Sequence, residues 1–383
     1  MKFRWPFNKQ KHKHWLGIHV SSLAPSAVIY SDAGIEKAIC FDQEQGIEAL
    51  YSWLKEHADH GMPSVLVLDD DDYELLLVEA PDVPADELSA ALEFRIGDLL
   101  AQPIEDTAIQ AVRLPEDAYR GRMSMAHVIA APNEKVKAWV RWASKLHLSI
   151  ESITVPELSL LNVLAACDVQ QGIALLELGP KQGCIRLYQD GALYLTRQVE
   201  VGIDALGISD DLEKAIPAEN ESLIEPAAEA IAVNEINLAE LTDDDFSSDG
   251  LNEEVDLDIA DVDELEAIEA QLTIDETAYV GFSAKASMSE QQVQNLVLEV
   301  QRSLDYYESQ LGMGQITQLW VMAGDRDLTS LVDAMQPALT ALVEQPNLIT
   351  KLSEVAGINI SASSDEVNNT VTALGGALAY VRS

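Results

Sequence analysis

At 383 residues and 48% hydrophobic content, the chain is long enough for two cored domains and apolar enough to fold them. A net charge of −41 excludes nucleic acid as the principal partner, because phosphate backbones are bound by basic surfaces. The three cysteines, Cys40, Cys167 and Cys184, have no CxxC spacing, which argues against a disulfide framework or zinc site and reads as buried thiols in a reducing cytoplasm.

Residues 1–13 form a basic arm, with Lys2, Arg4, Lys9, Lys11 and Lys13 interleaved among Phe3, Trp5 and Phe7. Two readings stay open for it: a frayed solubilising tail, or, over residues 1–15, a contact with an anionic membrane. It has no apolar core to act as a signal peptide, and no stretch reaches the roughly 18 apolar residues of a spanning helix.

Residues 16–41 read as three short strands: an apolar run at 16–20, a turn at 21–26, a strand at 27–30, a hairpin turn through Gly34, and a returning strand at 36–41. A helix is expected over 45–60, with Ile47, Leu50, Tyr51 and Leu54 on one face, and a buried strand over 64–68. His57 and His60 sit at a helix end without a third ligand nearby, so they do not suggest a metal site. The four carboxylates Asp69 to Asp72 read as a charged loop facing water rather than a Mg²⁺ site.

A helix begins near Pro84, with acids in its first turn and Leu88, Leu92, Ile96 and Leu99 on one face. Strands at 107–114 and 124–131, a helix from Asn133 to Leu146 and a strand at 148–155 complete a compact insertion over 81–155 within a first half spanning 14–170. A short helix follows at 156–166.

The pattern of 16–41 then returns. An apolar run at 173–178, a turn at 179–183, a strand at 184–188, the turn Gln189-Asp190-Gly191 and a strand at 192–199 repeat it, with Tyr30 and Tyr188 separated by 158 positions. The chain therefore reads as two related halves. The second half opens over 171–203 and resumes at 288–383.

Between them lies an acidic insertion, 204–287. Residues 204–276 hold about 25 acids against the single base Lys214, and no Trp, Tyr or Cys, so the segment is expected to be disordered. Order is expected to resume with a capping box, Ser289 to Gln292, and a helix carrying Val293, Leu296, Val297, Val300, Leu304 and Tyr307 up to Gly312. A strand at 315–322, the turn Ala323-Gly324-Asp325, a helix over 328–342 interrupted by Pro337, and a small-residue helix over 371–381 with Gly375 and Gly376 close the chain.

Three runs carry a resemblance. Asp72-Tyr-Glu-Leu-Leu-Leu-Val-Glu-Ala-Pro-Asp-Val-Pro84, Ala91-Leu-Glu-Phe-Arg-Ile-Gly-Asp-Leu-Leu-Ala-Gln-Pro103 and Glu299-Val-Gln-Arg-Ser-Leu-Asp-Tyr-Tyr-Glu308 resemble the PilM-like branch of the actin/sugar-kinase superfamily. Within it they resemble the family of MSHA pilus biogenesis protein I. The chain is also similar to the cytoplasmic domain of type II secretion protein L. The resemblance implies an α/β, actin-like (duplicated RNase H-like) two-domain fold with a small inserted α+β subdomain.

It further implies a cytoplasmic scaffold of MSHA-type type IV pilus assembly at the inner membrane. Such a scaffold binds the short cytoplasmic tail of a bitopic PilN-like protein (MSHA protein J) and connects it to the assembly ATPase. The alternative is a nucleotide-binding ATPase or switch of the same superfamily. No cofactor is certain; ATP with Mg²⁺ would be held, if at all, at Ser21, Ser22, Glu177, Gly179 and Gly324. In that mapping His19 stands in place of the first catalytic Asp, Ser21 in place of a Gly, Glu177 in place of the second Asp and Ala323 in place of a Gly. Pro180 removes a backbone donor and Asp325 adds an unfavourable charge. Together these departures imply no efficient hydrolysis.

Overall fold

The computed structural model describes residues 14–169, 171–208 and 288–379. The basic arm and almost all of the acidic insertion lie outside the described residues, as do the expectations attached to them.

Two five-stranded sheets repeat one plan. The first comprises β1 (His14–His19), β2 (Ser26–Ser31), β3 (Gly34–Cys40), β4 (Pro63–Val67) and β8 (Ser149–Thr154), in the order β3-β2-β1-β4-β8. The second comprises β9 (Ile173–Leu178), β10 (Gly183–Gln189), β11 (Ala192–Val199), β12 (Gln318–Met322) and β13 (Leu342–Glu344), in the order β11-β10-β9-β12-β13. In each, the first three strands form an antiparallel meander and the last two run parallel to the first.

The duplication extends to register. Ile29 faces Lys37 and Tyr30 faces Ile35, with a bulge between them; 158 positions on, Leu187 faces Leu195 and Tyr188 faces Leu193, with the same bulge. Each tyrosine leads into a tight hairpin, so the local turn chemistry that was legible in the sequence fixes both registers alike.

The helices cover these sheets. They are α1 (Gly46–His57), α3 (Asn133–Lys145), α4 (Pro156–Ala166), α5 (Ile203–Leu206), α6 (Glu290–Ser309), α7 (Thr329–Met335), α8 (Leu348–Ala356), α9 (Ser364–Asn368) and α10 (Val371–Leu378). All six apolar residues expected on the inner face of α6 are buried, and Gly312 ends its turn with φ +72°. Ser289 stands extended at its N-cap but makes no side-chain cap bond, and Asn133 is the first helical residue of α3 rather than its cap, so neither expected cap forms.

The inserted subdomain is drawn differently from the expected 81–155. Its sheet, β5-β7-β6, uses β5 (Glu74–Glu79), β6 (Thr107–Arg113) and β7 (Met125–Pro132), with α2 (Leu88–Ile96) against it. Leu88, Leu92, Ile96, Ala111, Ala126 and Val128 form its core. β5 went unread because its run of Leu75, Leu76, Leu77 and Val78 lacks the alternation of a half-buried strand. The α3–β8 pair belongs to the first half instead: β8 pairs with β4, and Val136, Trp139 and Trp142 pack on that half's core. Leu99 is 57% exposed, because the 3₁₀ turn Gly97–Leu99 shifts it off the face set by α2.

Three further differences concern the second half. The end of the expected 328–342 helix becomes β13, after Pro337 turns the chain through a 3₁₀ segment. The acidic insertion starts later than 204, since Ile203 and Leu206 are buried core residues of α5. Its two ends lie together, with the Ser289 amide donating to the Leu206 carbonyl at 3.0 Å.

The last helix, α10, crosses back to lie on β1, β2 and α4 of the other half. The approach is backbone to backbone: a Cβ on Gly17 would lie 1.8 Å from the Ala373 carbonyl oxygen, and one on Gly375 would lie 2.2 Å from that of Ser159. Ser159 Oγ donates to the Thr372 carbonyl at 2.6 Å and Asn162 donates to that of Gly375 at 2.9 Å, so the small-residue helix gains polar anchors that larger side chains would block.

Candidate functional site

The C-terminal ends of the central parallel strands are where α/β sheets ordinarily meet ligands. His19 ends β1 and pairs with Val67, the last residue of β4; Glu177 pairs with Met322, the last residue of β12. The duplicated registers thus place His19 and Glu177 at equivalent positions. They also lie near one another, because the charge of Glu177 acts on the His19 ring. Burial lowers the His19 pKa below 6.5, against the pull of Glu177 and Asp69.

Between them sits Arg186, a residue that motif reasoning did not single out. It lies in β10 with 1% of its side chain exposed. Nη1 stands 2.8 Å from Glu177 Oε2, Nε 3.4 Å from Glu157 Oε1, and Nη2 3.9 Å from Asp70 Oδ1. The three carboxylates come from β9, from the first turn of α4 and from the turn after β4. Burial works against the guanidinium charge, while Cys184, Glu157 and Glu177 hold its pKa well above the ordinary value.

The remaining polar atoms of this cluster are satisfied. Tyr73 Oη donates to Glu157 Oε2 at 2.7 Å, with Asp70 Oδ1 3.2 Å away, and Tyr188 Oη donates to the Glu157 carbonyl at 2.9 Å. Burial raises both tyrosine pKa values, so the phenols stay protonated donors. Burial also raises the Asp70 carboxyl to about 6, Arg186 opposing; the 58% of that side chain still open to water screens both effects.

The acidic quartet is therefore not a loop simply facing water. Asp72 is 4% exposed and accepts from Lys135 Nζ and Trp139 Nε1, both at 2.6 Å. Asp69 Oδ2 accepts from the Ser22 amide at 3.0 Å, and Asp70 faces Arg186. His57 Nδ1 donates to the Trp53 carbonyl at 2.9 Å and the ring stacks on that indole, while His60 stacks on His147.

The sequence-derived nucleotide residues all reach this side of the sheets, but their turns are closed, partly from within and partly by Asp69 and Asn369. Ser21 Oγ accepts from the Leu23 and Ala24 amides, both at 3.2 Å, and the Ser22 amide is taken by Asp69. The Gly179 amide donates to the Gln182 carbonyl at 2.9 Å. Gly324 adopts φ +65°, and the Asp325 amide beyond it donates to Asn369 Oδ1 at 3.0 Å. Phosphate turns work through clustered, unspent N–H groups, and Mg²⁺ needs carboxylates that are not already neutralised. The residues present do not fit a Mg²⁺-nucleotide.

Burial, with Asp325 and Asp42 opposing the thiolate, raises the Cys40 thiol to about 11.

Arg186 left a signal in the sequence. It alternates with Cys184 and Tyr188 on one face of a central strand, where a lone cation has to find carboxylates. Glu157 gave less, since an acid in a helix's first turn is explained by the helix dipole alone.

A second feature adjoins this cluster. A cavity of about 210 Å³ lies where the inserted sheet meets α4 and the β10–β11 hairpin. Leu75, Val112, Ile129, Leu158, Leu161 and Leu193 line it, with His127 and Glu157. His127 is 6% exposed, and neither ring nitrogen meets a partner at good hydrogen-bond geometry; burial lowers its pKa, the Leu193 and Tyr194 backbone opposing.

No protein-family model matches the sequence, and no curated protein does. Among solved structures, a chain of the "PilM-PilN type IV pilus biogenesis complex" is similar over 95% of this chain and 97% of its own, at 15% identity and a TM-score of 0.58. The cytoplasmic domain of EpsL, an inner-membrane component of the Vibrio cholerae type II secretion system, is similar over 54% of this chain and 79% of its own, at 17% identity and a TM-score of 0.38. An archaeal actin homologue, Ta0583, solved with ADP, is similar over 96% and 99%, at 11% identity and a TM-score of 0.38. With the repeated sheets, the matched register and a full-length superposition on the pilus-complex chain, the fold is actin-like.

Proposed function

We propose that the chain is a nucleotide-independent scaffold of type IV pilus biogenesis, of the MSHA type and related to its protein I. It acts on the cytoplasmic side of the inner membrane, holding the short tail of a bitopic PilN-like protein (MSHA protein J) and linking it to the assembly ATPase. The observation that carries the scaffold reading is Arg186: carboxylates at the strand ends, which a Mg²⁺-nucleotide would need free, are already paired with a buried guanidinium. The likeness to a pilus-complex chain along almost the whole length supports the choice of system.

Tail binding would use the cavity beside the inserted sheet. Its apolar walls suit alternate side chains of an extended peptide, and the half-open Val112 lies on β6, a strand at the sheet's edge. Isothermal titration of the full chain tests both parts. A synthetic peptide of the partner's tail is expected to bind and Mg-ATP to give no heat. Val112→Arg is expected to abolish peptide binding without lowering Tm. Micromolar Mg-ATP binding with turnover would replace this reading by the nucleotide-switch alternative.

A further inference from the structure

Nine of the chain's 24 lysines and arginines fall in two short stretches, five in residues 1–13 and four on α3. On α3 they are Lys135, Lys137, Arg141 and Lys145, against the single acid Glu134. Lys135 turns inward to the buried Asp72. The other three recur every fourth residue, so they project in one line along the exposed side of the helix.

Lys137 shares Glu134 at 3.0 Å, while among the described residues Arg141 and Lys145 form no ion pair. Val140, 40% exposed, stands between them. Beneath the line, the half-buried Trp139 and Trp142 pack edge to face and fix the helix on the first half's core.

The segment after α3 packs on the 59–61 turn, which itself reaches the start of β1. His147 stacks on His60 with ring centroids 4.0 Å apart, its carbonyl accepts the Gly61 amide, and the adjacent Asp59 reaches His14 at 3.8 Å. Asp59 and Glu36 both lie against His14. The cations and aromatics of the arm precede His14 directly in sequence. The cations of α3 thus belong to a second cation-rich stretch of an otherwise acidic chain.

We propose that the line Lys137, Arg141 and Lys145 is a docking surface for an anionic lipid bilayer. A straight row of cations beside an exposed valine matches an extended sheet of charge better than a single bound anion. The net charge of −41 does not prevent this, since at physiological salt charges beyond roughly 8 Å are screened and the local face decides. The inference is independent of the pilus partner, because lipid vesicles contain none.

Flotation of the full chain with vesicles of phosphatidylglycerol and phosphatidylethanolamine, against phosphatidylcholine alone, tests it. The wild type is expected to float with the anionic vesicles only. The triple variant Lys137→Gln, Arg141→Gln, Lys145→Gln, with the arm intact and Tm unchanged, is expected to lose about a hundredfold in partitioning, the order expected for three surface cations. The corresponding triple substitution to Glu is expected to abolish it, and rising salt to weaken the wild type. Flotation of the glutamine variant like the wild type would overturn the proposal and leave the arm as the only contact. Equal flotation with neutral vesicles, or none with either, would overturn it too, the latter pointing to an acidic protein in place of lipid.

Discussion

Arg186 Nη1 and Glu177 Oε2 stand 2.8 Å apart across the β9–β10 pair, and the guanidinium carries on to Glu157 and Asp70. One cation thus ties the two halves of the fold and the helix between them. That cation is built into a strand, β10.

Removing one member of a buried ion cluster leaves an uncompensated charge. Arg186→Met is expected to destabilise the protein by about 3–5 kcal/mol. The double variant with Glu157→Gln is expected to recover part of that loss, since Glu157 is the carboxylate with least access to water. Urea denaturation measures both, and a loss below about 1 kcal/mol for Arg186→Met would show that the cluster is not the link between halves.

The acid limb of stability is expected to follow His127 and His19. Both have folded pKa values below 6.5, so as pH falls through 6.5 the unfolded chain takes up protons first and stability drops, until the folded pKa is reached. Asp70, raised to about 6, works in the opposite sense as pH falls from 6. Urea midpoints between pH 7.5 and about 5 should therefore fall less steeply for His127→Leu than for the wild type. Parallel profiles would exclude His127 as a source of the slope.

Gly375 tests the seating of α10. A methyl group there meets the Ser159 backbone oxygen at 2.2 Å, and no rotamer relieves a clash with backbone. Gly375→Ala is expected to cost about 1–3 kcal/mol or more, despite alanine's better helix propensity. An unchanged or raised Tm would mean that α10 and α4 are free to move apart.

The close approach of Leu206 and Ser289 allows the acidic insertion to be replaced by a short linker. Exchanging residues 209–287 for a few Gly and Ser residues is expected to leave Tm within about 2 °C, as an acidic segment poor in core residues contributes little burial. Extending the deletion back to residue 204 removes the buried Leu206 and is expected to cost about 2–5 kcal/mol. Scanning calorimetry of the two deletions distinguishes them, and a large loss from the shorter one would show that the insertion packs.

The sequence alone determined the duplication, because hairpin turns and strand alternation are local: Tyr30 and Tyr188 lead into like turns 158 positions apart, and the structure adds that both carry the same bulge. It determined α4, the buried face of α6 and the need for small residues in α10 for the same reason. Only the tertiary structure decided that β5 joins the inserted sheet while β8 leaves it, since both strands choose partners far along the chain. Only the tertiary structure, too, closed the turns at Ser22 and Gly324, because Asp69 and Asn369 reach them from 47 and 44 or more residues away, whereas Ser21 and Gly179 are closed by bonds within their own turns. The same nonlocality hid the centre of the site: a lone arginine on a strand acquires meaning once folding brings Asp70, Glu157 and Glu177 around it, where low dielectric leaves its charge no other partners.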